Sequence, residues 1–422
     1  MTFTAGTARA VLKPTVGAAL IGYFNRQGGA AGEHDPLMAR ALVLADDTVA
    51  LAICAVDVCV IAAQTTAAIR RAAQRLCPHL AHVLVFATHT HSAPALHVPD
   101  DWQEDPVERI AETIAAADAA RVPARLGAGS GLLVGHSVNR RFLDRPADPF
   151  VGVVRVESAE GQPIAVLGNF ACHNVVLGPD NLLTSADWTG AACAALEARL
   201  GGMAMMSLGG AGDVNPVTDD VAQRLARGDH TLAIGAISAV YGLRDGQTAR
   251  TWNIEDRTGG TFAQAQALGA AVADAVALVW QAIVPEDNPA LAYQALMVDV
   301  GTPQSGQFLP PEYGALLPEI ADGHVPLPVS LLRLGDALWV SHPVETFSDD
   351  AVHLRRMLQQ RGFRCPMLVT YANGWYGYLP PAHAFPEGGY EVGWAQTFAL
   401  RQDGQALLLE VVLAAVEAWR AP

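Results

Sequence analysis

The chain has almost no lysine. Lys13 is the only one in 422 residues, so nearly all positive charge is arginine, and Lys+Arg total 27 against 42 Asp+Glu. The net charge of -15 excludes a broad basic face of the kind that grips phosphate backbones or anionic lipid, and nucleic acid is not an expected partner. Charged residues as a whole are scarce, at 16%, while hydrophobic ones make up 51%. That balance excludes a disordered chain and points to one large unit over 1–422 with much of its sequence in the interior.

Paired cysteines are missing as well. Cys54, Cys59, Cys77, Cys172, Cys193 and Cys365 are scattered with no Cys-x-x-Cys among them, which leads us to expect reduced core thiols. The start of the chain, Met1-Thr2-Phe3-Thr4-Ala5-Gly6, has neither the basic residues nor the apolar run of a signal peptide, so the expected location is the cytoplasm. The most apolar long stretch, 263–284, is interrupted by Gln266 and Asp274 and reads as an alanine-rich packed helix, not as a membrane span.

Several common catalytic signatures are absent too. No His-Glu-x-x-His occurs, and Ala93 and Pro94 stand where a His-x-His-x-Asp-His run would need its Asp and last His. A His-x-His barrel with a bridging lysine downstream is excluded, because Lys13 lies upstream of the pair. Gly127-Ala128-Gly129-Ser130-Gly131 fits neither a nucleophile elbow nor a dinucleotide fingerprint.

What is present is an alternation of short apolar strands with amphipathic helices. Strands are expected at 41–44, 50–56, 82–87, 151–156, 164–169, 203–208, 297–300, 331–334, 338–341 and 367–371. Helices are expected at 62–76, 188–200, 261–283, 346–360 and 405–419. The fold class is therefore α/β, with a mixed β-sheet core and flanking helices. Tight turns at Asp46-Asp47 and Glu160-Gly161 predict antiparallel neighbours among the parallel strands. Two stretches, near 228–260 and 301–328, depart from the pattern and read as insertions.

The sharpest local signal is Val83-Leu84-Val85-Phe86-Ala87-Thr88-His89-Thr90-His91-Ser92, a buried strand that delivers two histidines at its end. Residues two apart in extended chain project to one side, so His89 and His91 can face a single site as zinc ligands, imidazole being a common one; the alternative is two histidines donating to backbone carbonyls in a turn. His173 follows the apolar run 164–170; read alone, it is a core histidine. Glu345, after Leu338-Trp339-Val340-Ser341-His342-Pro343-Val344, reads either as a carboxylate ligand or as the acidic first turn of a helix. The aromatic, Gly- and Pro-rich segment 371–381 reads as a pocket wall or as a packed surface loop. Together these are parts of an open zinc site, with three or four protein ligands and room for water.

In these residues the chain resembles the neutral/alkaline, non-lysosomal ceramidases, zinc amidases acting on N-acyl-sphingosine. The matching pieces include Gly22-Tyr23, His34-Asp35-Pro36-Leu37, Thr88-His89-Thr90-His91-Ser92, Asn139-Arg140, Cys172-His173, Ser185-Ala186-Asp187-Trp188, Gly212-Asp213-Val214-Asn215-Pro216, Pro343-Val344-Glu345, and Gly377-Tyr378 with Tyr390-Glu391. The resemblance implies that His89, His173, Glu345 and Tyr378 bind Zn2+, with His342 a neighbouring rival of Glu345. It also implies that His91, Arg140 and Tyr390 face the substrate, a small-molecule amide. Departures from the family pattern are Ala93 and Ala95 in place of glycines, Trp375 in place of a tyrosine, and Pro380-Pro381 in place of two threonines. A single large catalytic domain without a C-terminal β-sandwich is expected. The expected activity is hydrolysis of an N-acyl amide by metal-activated water. The alternatives are a zinc hydrolase of an ester, lactone or cyclic amide, and a homologue that binds metal or ligand without turnover.

Overall fold

Strand residues in this protein divide alternately between two cores. In β2 (Leu37–Ala45), Ala39, Ala41 and Val43 pack under helices, while Leu42 and Leu44 face a second sheet. The next strand, β3 (Ala50–Val56), repeats the division with Ala52 and Cys54 against Leu51 and Ile53. Because successive side chains point to opposite faces and both faces are covered, these strands read as nearly continuous apolar runs.

The protein is described here from a computed structural model, which covers residues 3–420 apart from Asn25, Leu143, 227–259, 306–319 and Ala321. The first expected insertion, 228–260, thus lies outside the described residues except for Gly260, and the second is described at 301–305, 320 and 322–328.

One sheet has eight strands: β1 (Thr4–Leu12), β2, β3, β4 (His82–Ala87), β5 (Val122–Leu132), β6 (Phe150–Ser158), β7 (Pro163–Phe170) and β8 (Met203–Leu208). Their order is β8-β7-β6-β5-β1-β2-β3-β4, parallel only at its two ends, β3 with β4 and β7 with β8. The second sheet runs β9 (Leu291–Asp299), β10 (Pro326–Leu334), β11 (Ala337–Ser341) and β12 (Cys365–Val369), with β11 and β12 parallel. Leu332, Leu334, Trp339 and Met367 of this sheet share a core with Leu42, Ile53, Phe86 and Leu167 of the larger one, so the sheets stack face to face. Helices close the outer faces: α1 (Ala63–Leu76), α2 (Pro106–Ala119), α3 (Asp187–Leu200) and α4 (Phe262–Ala282) on the eight-stranded sheet, α5 (Ser348–Gln360) and α7 (Gly404–Arg420) on the smaller one. A short α6 (Tyr390–Thr397) packs with the second group.

Each parallel pair is a strand-helix-strand unit: β3-α1-β4, β7-α3-β8 and β11-α5-β12. The turns expected at Asp46-Asp47 and Glu160-Gly161 join the antiparallel hairpins β2-β3 and β6-β7. The strand expected at 297–300 is only the end of β9, which starts at Leu291. Strands β1 and β5 escape a search for apolar runs, because β1 alternates and β5 is glycine-rich. The glycines of β5 serve packing: a Cβ on Gly127 would sit 2.6 Å from Cγ2 of Ile283, and one on Gly131 would sit 2.7 Å from Cγ2 of Val279. Helix α4 can approach β5 this closely only because that face is bare. Among the described residues, α4 is the one helix long and apolar enough to cross a membrane; here it covers the sheet with Leu268, Val272, Val276 and Trp280 buried.

Candidate metal centre

The six strands of the three parallel units end at one place. Beyond β3 lies Cys59, beyond β4 His89 and His91, beyond β7 His173, beyond β8 Ala211 and Asp213, beyond β11 Glu345, and beyond β12 Tyr371, Trp375 and Tyr378. Carboxyl ends of parallel strands are where α/β folds place ligand-binding groups. Here two stacked sheets contribute, so residues remote in sequence meet.

His89 occupies a left-handed backbone conformation, φ 62°, one a residue with a Cβ rarely adopts. Its ring is buried, and Nδ1 donates to the carbonyl of Cys59 at 2.7 Å. His173 is held in the same way, Nδ1 donating to the carbonyl of Ala211. Both tautomers are therefore fixed with Nε2 turned toward Glu345, the arrangement that makes imidazole a ligand. Nε2 of His173 lies 3.2 Å, and Nε2 of His89 3.8 Å, from Oε2 of Glu345, and the two rings are 4.8 Å apart between centroids. Tyr378 brings its hydroxyl to 3.5 Å from Nε2 of His173, and its backbone bridges to that of Glu345.

The electrostatics suit a cation. Burial alone would raise the carboxyl of Glu345, but His89, His173 and the Trp375 indole outweigh it and bring the group down to about 2. Burial also lowers His89 to about 3 and depresses His173, the latter helped by Arg140, so both imidazoles are neutral at physiological pH. Tyr378 is pushed well above its ordinary 10 by burial and keeps its proton. The ligand atoms of His89, His173 and Glu345 lie within 4.8 Å of one another, and two neutral imidazoles with one carboxylate are donor types that zinc takes. Cys59, His89 and His91 form a second such group. It is the poorer one, because the Cys59 thiol is driven well above 9 by burial and then by Glu345, and Nδ1 of His89 is already committed to a carbonyl.

With that geometry in view, the sequence comparison is decisive. The model for the N-terminal part of the neutral/alkaline non-lysosomal ceramidases matches residues 3–219, just over half of the chain. The chain belongs to this ceramidase family. Two solved ceramidase structures share the fold: one of neutral ceramidase from Pseudomonas aeruginosa, with a TM-score of 0.74, and one of a ceramidase complexed with C2, with 0.73. Each is 18% identical, and each alignment covers 100% of this chain and 75% of the other. Likeness at that identity speaks for the α/β fold of mixed sheets and flanking helices. No curated protein sequence matches the chain.

The remaining residues singled out from the ceramidase resemblance surround the same point. Nε2 of His91 is 3.2 Å from Nε2 of His89, and the His91 ring is only half-buried. Arg140 is buried; it donates through Nε to Glu391 at 2.8 Å and through Nη2 to the Tyr378 hydroxyl at 2.9 Å, and Nη1 lies 3.2 Å from Nε2 of His173. Its guanidinium also lies 5.6 Å from the centre of the Tyr390 ring, which packs edge-on against Tyr378. His342 is not among them: its Nε2 is 3.4 Å from the Thr346 hydroxyl and it lines a separate cavity of about 210 Å³.

Sequence reasoning passed over two groups that the structure brings in. Glu391 receives both Arg140 and Arg141, and its only signal was its place after Tyr390. Tyr371, expected to end a strand and to open the aromatic segment read as a pocket wall or packed loop, donates to Glu345, a role that this reading did not single out.

Proposed function

We propose that this ceramidase-family chain is a zinc-dependent hydrolase that cleaves the amide bond of an N-acyl compound. The observation that carries the reading is the convergence of Nε2 of His89, Nε2 of His173 and Oε2 of Glu345, with both Nδ1 atoms tied to carbonyls. His89, His173, Glu345 and Tyr378 would hold the ion. Bound there, zinc supplies Lewis acidity, lowering the pKa of a coordinated water to about 7 and polarising the carbonyl.

Hydrolysis adds the water oxygen to the carbonyl carbon, breaks the C–N bond and needs a proton for the departing nitrogen. His91 is the group for that proton, since it stands beside His89 on the open side and imidazole exchanges protons near neutrality. Arg140 donates to the oxygen of Tyr378, which leaves the phenol proton for an acceptor of growing negative charge, the carbonyl oxygen. Tyr390 flanks Tyr378 and, with Arg140, positions the carbonyl end of the substrate. The acyl part meets aromatic surface: Trp375 packs on Trp394, and Trp394 packs on exposed Phe24. Such a wall suits an apolar chain.

The test is a metal determination followed by a substrate panel. One zinc per chain, lost in His89→Ala, together with turnover of N-acyl amines, supports the reading. Turnover confined to esters, lactones or cyclic amides would replace the bond assigned here, and zinc binding without turnover of any of them would make the chain a binding homologue.

A further inference from the structure

We infer that Tyr371 and Trp375 are positioning residues that set the rotation of Glu345, so that Oε2 alone is presented to the metal; this rests on the zinc reading above. Glu345 is buried and its two oxygens have different surroundings. Oε1 accepts from the indole N–H of Trp375 at 3.0 Å. Oε2 accepts from the hydroxyl of Tyr371 at 3.0 Å, and it is the oxygen that faces both imidazoles. A carboxylate with no such partners could turn about its last bond and offer either oxygen. Here the indole holds Oε1 away, and the hydroxyl fills a second acceptor site on Oε2 while leaving room for a third interaction.

Tyr371 acts on a second ligand as well. Its ring lies against that of His89, centroids 4.0 Å apart and planes 23° from parallel. Its backbone is unusual: Tyr371 has φ 57° and Asn373 φ 63°, both left-handed. The segment is kept there by the strand that delivers His89. Ala87 N–H donates to the Tyr371 carbonyl at 3.1 Å, Asn373 N–H to the Val85 carbonyl at 2.8 Å, and Val85 N–H to the Asn373 side chain at 3.1 Å. Non-glycine residues seldom adopt this region and persist there where surrounding contacts over-determine them. The strain is located where one segment must touch two ligands carried on different sheets.

The test compares zinc affinity, by chelator competition, in the wild type, Tyr371→Phe, Trp375→Phe and the double variant, with melting temperatures of the metal-free proteins. At Tyr371 phenylalanine keeps the ring that stacks on His89 and removes only the hydroxyl; at Trp375 it removes the indole N–H together with part of the ring packing, which the metal-free melting comparison controls for. The expected result is about 10–100-fold weaker zinc binding in each single variant, the usual loss for a group that orients a ligand, with little change in metal-free melting. Affinities within twofold of wild type, or weaker binding matched by equal loss of metal-free stability, overturn the inference. His89→Ala separates the two readings. Zinc uptake that it abolishes upholds the metal site and leaves the phenylalanine variants to decide positioning, whereas no uptake by wild type overturns both.

Discussion

Nε2 of His89 and Oε2 of Glu345 stand 3.8 Å apart, although His89 follows a strand of the eight-stranded sheet and Glu345 a strand of the four-stranded one. The centre is therefore a product of how the two sheets stack. Anything that slides one sheet on the other separates the ligands, and the shared core of Phe86, Leu167, Trp339 and Met367 guards against that.

His91 depends on a glycine for its place. A Cβ on Gly22 would lie 2.4 Å from both Cγ and Nδ1 of His91, and Gly22 has φ +106°. Gly22→Ala should displace the imidazole and lower kcat about 100-fold, the low end of what a positioned acid supplies. Zinc content should stay at the wild-type value. Steady-state rates beside metal analysis check this, and unchanged kcat would remove His91 from the proton step.

Arg140 is a fork with both ends used, on Glu391 and on Tyr378. Lysine offers the charge but not the two-sided geometry. Arg140→Lys should reduce kcat/KM for an N-acyl amine by about 100-fold or more, comparable to losing one donor of an oxyanion site. Kinetics of the variant decide it, and a change below threefold would mean that only the charge matters.

Acid should weaken the metal-free fold through His342, which is wholly buried and lowered to about 4 by burial. In the unfolded chain the same group takes a proton near 6.5, so between about 6.5 and 4 the unfolded state binds more protons. Stability from this group is complete above that window and declines as pH falls through it. The stability advantage of wild type over His342→Asn should shrink on acidification by on the order of 1–3 kcal/mol. Denaturant titrations of metal-free protein at pH 7 and pH 5 measure the difference; a constant gap contradicts the burial argument.

The bare face of β5 makes a stability prediction. Gly127→Ala would push a Cβ to 2.6 Å from Ile283 and 3.0 Å from the Val284 carbonyl, lifting the end of α4. A cost of about 1–3 kcal/mol is expected, as for other overpacked sites, without effect on zinc affinity. Thermal unfolding tests it, and an unchanged midpoint would show that α4 yields freely.

The sequence made the strand-helix-strand units legible because their strands are buried on both faces and apolar throughout. His89 and His91 were legible for the same reason, as polar residues at the end of such a strand. His173 and Glu345 could not be read individually. Each looks like an ordinary core histidine or helix-start acid until the sheets bring it to His89; their convergence suggested an open zinc site, and the family resemblance named the ligand set. Tyr371 lies in the segment read as a pocket wall or packed loop, but its bond to Glu345, like those of Glu391 to two arginines, lies in the third dimension and leaves no local pattern. The glycines 127–131 were noticed for motifs they fail to match, whereas they serve the contact with α4.

The most direct measurement is anomalous diffraction at the zinc edge from crystals grown with zinc. The account predicts a single strong peak in contact with His89, His173 and Glu345, near the Tyr378 hydroxyl. No peak there, or one held by Cys59 and His91 in place of His173 and Glu345, would contradict it.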